Sequence, residues 1–280
     1  MILGVGMDRI LYVSDLDGTL LNENQEVSPY TARVINRMVE TGGLFSYATA
    51  RSFVTASKAT AGVTARLPAA VYNGAFVAEF PTGRLLRTNT FSSEEGGEIL
   101  EALLSSGISP IVYSLLKGRE RFSYVRGSVN PGAAEFLQTR QGDIRERPVK
   151  TPEELEEGEI FYFTCIDEEE KLRPLYETWK GRCRCIFDRD FYTRRYWLEL
   201  MPRQATKAHA VLQIKEMLGC EKIIAFGDGK NDIPLFQLAD EAYAVENADP
   251  ALKALAKGIL PSHQEDGVAR WLEANWPGFR

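Results

Sequence analysis

The apolar residues of the chain fall into two rhythms. Residues 10–14 (ILYVS) form a short run rich in β-formers that ends in acids and glycine, the pattern of a buried parallel strand feeding a loop. Ser28-Pro29 then opens an amphipathic segment with Val34, Ile35, Met38 and Val39 at helical spacing. Ser28 suits an N-cap, Pro29 suits the first helical position, and Gly42-Gly43 ends the helix. LFSYAT (44–49) predicts a second strand, with a helix following from about Ser52. AAVYNGAFVAEF (69–80) predicts a third strand, a turn at Asn73-Gly74 and a fourth strand. Strands alternating with helices are the pattern of a doubly wound sheet.

From about Thr82 to Pro202 the rhythm changes. A strand, the helix SSEEGGEILEALLSS and the strands PIVYSLL and RFSYVRG come first. A short helix near 131–140, the strand IFYFTCID and the helix EEEKLRPLYETWK follow, and then the strand pair RCRCIFD and RRYWLELM. Paired strands with helices between them predict an α+β sandwich on an antiparallel sheet. After Gln204 the first rhythm returns: helix TKAHAVLQIKEML, strand KIIAFGD, helix NDIPLFQLA, strand EAYAV, helix DPALKALA, strand GIL and a last helix EDGVARWLEAN. The expected organisation is an α/β core with a Rossmann-like doubly wound parallel sheet over residues 1–82 and 203–280. An α+β cap domain is inserted at 83–202. No repeat or low-complexity segment interrupts it.

Composition narrows the classes. With 280 residues, 44% hydrophobic and 26% charged, the chain is neither collagen-like, mucin-like nor broadly disordered. A net charge of −6 argues against nucleic acid or an anionic membrane as partner. No apolar run reaches membrane-spanning length. The start, MILGVGMDRILYVS, lacks a basic region before its apolar stretch, and Asp8 and Arg9 break that stretch. It is therefore not read as a signal peptide, and Met7 is an alternative start. Four cysteines are sparse for a disulfide scaffold, so reduced thiols in a cytoplasmic protein are expected. Separately, a monomer or weak homodimer is expected. Cys183 and Cys185 lie one residue apart, but no second Cys or His pair matches them as a metal site. They read as two cysteines on one face of a strand.

Chemistry concentrates at two strand ends. Asp15-Leu16-Asp17-Gly18-Thr19 follows the first strand, and Gly227-Asp228-Gly229-Lys230-Asn231-Asp232 follows KIIAF. Ligands of open α/β sheets bind beyond the carboxyl ends of strands. Gly18 permits a sharp turn whose amides face an anion. The bland readings are a solvated Asp-Gly turn and a helix cap at Asn231 or Asp232, but both runs hold more polar groups than those need. If the loops share one sheet edge, up to four carboxylates converge: Asp15, Asp17, Asp228 and Asp232. Two like charges 4 Å apart repel by about 4 kcal/mol at an effective dielectric near 20. Such a site needs a cation or protonated acids. Oxygen donors without His or Cys favour Mg²⁺, and with it phosphate chemistry. Thr49, ending the second strand, and Lys207, opening the helix of the returning segment, complete an anion site.

Taken in order, DLDGTLL (15–21), ATAR (48–51), YNGA (72–75), Lys207, GDGKND (227–232), ENADP (246–250) and EDGVA (265–269) resemble the motifs of the haloacid dehalogenase superfamily, and within it the Cof-like phosphatases of subfamily IIB. The resemblance spans nearly the whole core, and the inserted segment matches that family's type-two α/β cap. It implies Asp15 as the nucleophile that forms an aspartyl-phosphate and Asp17 as general acid and base. Mg²⁺ would be held by the Asp15 and Asp228 carboxylates and the Asp17 carbonyl, supported by Asp232. The phosphoryl group would be held by Leu16, Thr49, the Ala50 amide, Lys207 and Asn231. ATAR replaces the commoner Ala-Thr-Gly-Arg, and ATK the usual Val-Ser-Lys before the lysine. Neither departure removes a reactive group.

The loop after Asp17 is too short to cover a site, so the insertion is the expected lid. It offers the aromatics Phe187, Phe191, Tyr192, Tyr196 and Trp197. Its basic residues include Lys117, Arg119, Arg121, Arg126, Arg189, Arg194 and Arg195. Alternation in RRYWLELM places about half of the aromatics in the core. His209 and His263 have no partner pattern. The leading expectation is Mg²⁺-dependent hydrolysis of small phosphorylated metabolites such as sugar phosphates. The alternatives are phosphomutase-type transfer on the same site and a non-catalytic binding protein of the same fold.

Overall fold

The computed structural model describes residues 9–65, 67–189 and 195–279. The chain opens with β1 (Ile10–Ser14), α1 (Pro29–Glu40), β2 (Leu44–Tyr47) and α2 (Phe53–Ala59). The Ser28 hydroxyl accepts from the Thr31 amide at 3.0 Å and so caps α1, with Pro29 in its first turn. Three short strands follow: β3 (Ala69–Val71), β4 (Phe76–Ala78) and β5 (Leu85–Thr88). They pair antiparallel as a sheet of their own, touching the main sheet through one bridge between Ala48 and Ala70.

The third and fourth strands expected from sequence are thus a hairpin beside the core sheet and not members of it. The turn explains this. Tyr72, Asn73 and Gly74 have φ of 51, 54 and 96°, which reverses the chain in three residues and sends β4 back along β3. Because β5 pairs with β4, residues 83–88 stay with this sheet.

The middle of the chain forms α3 (Ser93–Ser105), β6 (Ile111–Leu116), β7 (Arg119–Val125), α4 (Pro131–Gln138), β8 (Glu146–Val149), β9 (Glu159–Asp167), α5 (Glu169–Trp179), β10 (Arg184–Arg189) and β11 (Tyr196–Met201). Six strands make one sheet in the order β10-β11-β9-β6-β7-β8, antiparallel except for β7 with β8. Strand β8 was not expected from sequence. It contains Pro148, which removes a ladder donor, and it is tolerated because β8 is an edge strand. Neighbouring residues of β6 serve different cores. Val112 joins the cluster with Leu100, Leu103, Phe163, Leu172 and Leu198, whereas Ile111 joins Phe122, Ala133 and Leu137. Alternation along a strand puts these clusters on opposite faces of the sheet. Phe187 stacks between Tyr176 and Tyr196, each at 5.1 Å, and Trp197 meets Phe136 edge-on at 5.3 Å. Phe191, Tyr192 and Arg194 lie outside the described residues.

The chain then returns with α6 (Lys207–Leu218), β12 (Lys222–Gly227), α7 (Ile233–Leu238), β13 (Glu241–Val245), α8 (Pro250–Lys253), β14 (Gly258–Leu260) and α9 (Gly267–Asn275). The Thr206 hydroxyl caps α6 and Gly219, at φ 61°, ends it. The main sheet is wholly parallel in the order β14-β13-β12-β1-β2. The strand order reverses between β1 and β12, so helices on the two sides of that point cover opposite faces. In agreement, α1 packs with α9, and α6 with α7.

The chain divides into two compact units. One runs to Thr88 and resumes at Ala205; the other is Asn89–Gln204. Among the described residues no helix is long and apolar enough to cross a membrane. Phe45 of β2 is fully buried in the core of the first unit and meets Tyr47 edge-on. Phe45→Ala is expected to lower the unfolding free energy by about 3–5 kcal/mol, read as a lower urea midpoint at unchanged slope.

Candidate active site

The reversal point brings the two acidic loops together. Ser14 pairs with Phe226 in the parallel ladder, and the Asp15 amide donates to the Phe226 carbonyl at 2.9 Å. Asp15 therefore leaves β1 beside the end of β12. Its Oδ1 accepts from the Leu16 amide at 2.7 Å and lies 2.8 Å from Lys207 Nζ. That ammonium also donates to Asp232 Oδ1 at 2.7 Å. Lys207 and Asp232 are both fully buried. Asp232 Oδ2 accepts from the amides of Asp228 and Gly229, at 3.1 and 3.0 Å. Asp232 therefore shapes the loop that carries Asp228 and does not cap α7 with its side chain.

Small residues allow this approach. Gly18, at φ +70°, faces Asp228 so closely that a Cβ there would lie 2.4 Å from Asp228 Oδ2. Thr19 Oγ1 donates to Asp228 Oδ1 at 2.9 Å, a direct link between the two loops. A Cβ on Gly74 would lie 2.1 Å from the Thr206 carbonyl, so the turn after β3 sits directly against the cap of α6.

Oxygens of Asp15, Asp228 and Asp232 all lie within 4.8 Å of one another. Three carboxylates face one ammonium, which leaves two negative charges uncompensated when all are ionised. Burial pushes the Asp15 carboxyl well above its usual range; Lys207 pulls it back, and Asp232 and Asp228 push it further up. Asp228 is raised as well, by burial first and by Asp232, against the hydrogen bond from Thr19. For Lys207, burial disfavours the charge, but Asp15 and Asp232 outweigh it and keep the ammonium above its ordinary value. An all-oxygen cluster of two buried carboxylates and one half-buried one, with surplus negative charge, fits a hard metal ion.

Asp17 does not join this cluster. Arg51 holds its carboxylate in a two-point pair, Nε to Oδ2 at 2.7 Å and Nη2 to Oδ1 at 2.5 Å, and Nη2 also donates to Gln25 Oε1 at 3.0 Å. The convergence of four carboxylates expected from sequence is therefore one of three, because a guanidinium fork captures the fourth. Thr49 is fully buried, and its Oγ1 accepts from the Arg51 amide at 3.1 Å. Its carbonyl accepts from the Asn73 amide at 2.9 Å, tying β2 to the turn after β3. Asn231 Nδ2 donates to Asn73 Oδ1 at 3.1 Å. Leu16 is buried and Ala50 is exposed.

Sequence reading assigned no role to Arg51, Asn73, Thr19 or Asn247, whose Nδ2 donates to the Gly18 carbonyl at 2.7 Å. Each falls inside one of the motif strings, which was the available signal. Their pairing required the fold.

The sequence pattern of the haloacid dehalogenase-like hydrolases matches residues 12–272. The 5-amino-6-(5-phospho-D-ribitylamino)uracil phosphatase YwtE of Bacillus subtilis (strain 168) is 28% identical, over 92% of this chain and 95% of its own. The crystal structure of TM0651 from Thermotoga maritima superposes with a TM-score of 0.78 at 24% identity, over 96% of this chain and 97% of that one. The subclass IIB sugar phosphatase BT4131 superposes with a TM-score of 0.69 at 18% identity, over 95% and 98%. These two likenesses establish a shared fold. With the family pattern covering both halves of the core and the whole insertion between them, the chain belongs to the haloacid dehalogenase-like hydrolases.

Proposed function

We propose that the chain is a Cof-like phosphatase that hydrolyses small phosphorylated metabolites, with Mg²⁺ as its cation and an aspartyl-phosphate on Asp15 as its intermediate. The observation that carries this reading is the cluster of buried Asp15, Asp232 and Lys207 with half-buried Asp228 at the reversal point of a parallel sheet. Membership of a hydrolase family and the phosphatase names of the full-length relatives support it.

In this reading Asp15 attacks phosphorus. A carboxylate needs no base of its own, but it must approach a dianion, and the Lys207 ammonium beside it offsets that repulsion. Mg²⁺, held by the Asp15 and Asp228 carboxylates and the Asp17 carbonyl with Asp232 in support, would neutralise charge on the transferring group. Asp17 protonates the leaving oxygen and then takes the proton of the water that hydrolyses the acyl-phosphate. To do so its carboxyl must leave Arg51, which then becomes a cation available to the substrate. Leu16, Thr49, the Ala50 amide and Asn231 hold the phosphoryl oxygens. The inserted unit supplies substrate selection, and the four free cysteines are in keeping with a cytoplasmic location.

Phosphate release from a metabolite panel, with and without Mg²⁺, tests the proposal. The panel should include sugar phosphates and the phosphorylated ribitylaminouracil named for YwtE. Phosphoryl exchange between isomers without release would favour a phosphomutase, and silence across the panel a binding protein. Asp15→Asn should abolish turnover while circular dichroism shows an intact fold. Near-normal turnover in that variant would remove the mechanism.

Thermal stability should also respond to the cation. Asp15 and Asp228 bind protons more tightly folded than unfolded. Without a divalent ion, the contribution of these groups is complete below the ordinary carboxylate range and is lost as pH rises through the raised values. Melting temperature in chelator should therefore fall relative to that in Mg²⁺ as pH rises from about 4 to 7, with the gap widest at the neutral end. A gap independent of pH would contradict the assignment of these carboxyls to the ion.

A further inference from the structure

The second unit holds a contact that the hydrolytic chemistry does not use. Cys183 and Cys185 bring their sulfurs to 3.6 Å. Two residues along a strand advance roughly 6.4–6.8 Å, so these side chains converge. They can do so because Cys183 precedes β10: the ladder with β11 begins at Arg184, while Cys185 pairs with Leu200. Upstream, the Cys183 amide donates to the Trp179 carbonyl at 3.0 Å, in the turn that ends α5. One thiol thus sits at a chain bend and the other on the outermost strand of the sheet. Cys183 is 8% exposed and Cys185 is half-buried.

We propose that Cys183 and Cys185 form an oxidisable dithiol, a modification site that a hydroperoxide converts reversibly to an intrachain disulfide. The Cys183 thiolate attacks one peroxide oxygen, the O–O bond breaks and hydroxide leaves, giving a sulfenic acid. The Cys185 sulfur then attacks the Cys183 sulfur. The S–S bond forms as the S–O bond breaks, and the Cys185 proton leaves with that oxygen as water. Two electrons pass from the sulfurs to the peroxide.

The surroundings favour this division of labour. The Cys185 thiol hydrogen bond lowers the Cys183 thiol, assisted by Arg182 and opposed by burial and Glu95, while the same contact raises Cys185. Closure requires the sulfurs to approach from 3.6 Å to about 2.05 Å. The movement falls on Cys183, which lies outside the strand ladder. Cys165 and Cys220 are also buried, burial raises both of their thiols, and neither has a second thiol in contact.

The test treats the whole protein with dilute hydrogen peroxide, blocks the remaining thiols with iodoacetamide, and digests with trypsin. Cleavage after Arg182, Arg184 and Arg189 separates the two cysteines, so a disulfide would join Cys183-Arg184 to the peptide 185–189. The expected result is that linked pair, a fall from four to two blocked cysteines, and full recovery on thiol reduction. In Cys185→Ser, Cys183 should instead accumulate added oxygen. In Cys183→Ser, Cys185 should stay a free thiol under the same dose. Independent oxidation of both residues without linkage, or equal peroxide reactivity of Cys185 in Cys183→Ser, would overturn the proposal.

Discussion

A fully buried ammonium has to be paired, and Lys207 has two partners delivered by different stretches of chain. Asp15 follows β1, and Asp232 follows β12. Removing such a charge from water costs several kcal/mol, repaid only with near-ideal geometry, and loss of one partner strands the other. The three groups therefore hold β1, β12 and the start of α6 in one relative position. Asp232 spends its second oxygen on the amides of Asp228 and Gly229, so the same pairing also sets the loop that presents Asp228. Structural support and chemistry are thus the same interaction. The lysine that balances the buried negative charge is also the cation beside the oxygen proposed to attack phosphorus.

The two aspartates of the first loop are only two residues apart, yet they meet different fields. Asp15 is buried among like charges and Asp17 is half exposed in the fork of Arg51. Gly18 makes the separation possible by turning the backbone through a left-handed conformation directly against Asp228. The loop can then point one carboxylate inward and the other outward. The nucleophile and acid roles proposed for them call for such unlike surroundings, since a single residue type fills both.

Much of this was legible in the sequence because the governing patterns are local. ILYVS and KIIAF are short apolar runs that announce buried parallel strands, and acids placed at their ends announce a site. Asp15 and Asp228, far apart in sequence, meet as that reading requires. What was not legible depended on conformation or on long-range pairing. Asn73-Gly74 reads as a turn, but nothing local says that Tyr72 and Asn73 also adopt positive φ and turn the segment into a separate sheet. Pro148 hid β8, because a proline disqualifies a central strand and the edge position could not be known. The capture of Asp17 by Arg51 removed one acid from the expected cluster, and only the fold could show that pairing.

The order of strands in the main sheet also bears on how the protein is made. β1 lies in the interior of that sheet, with β2 on one side and β12 on the other. As the chain leaves the ribosome β2 follows soon, but β12 is translated only after all of Asn89–Gln204. The inserted unit has its own six-stranded sheet and its own cores and can consolidate while β1 still exposes an open hydrogen-bonding edge. Until α6 emerges, Asp15 lacks the ammonium of Lys207, so the acidic loop written first in the message waits for a late helix to supply its paired charge.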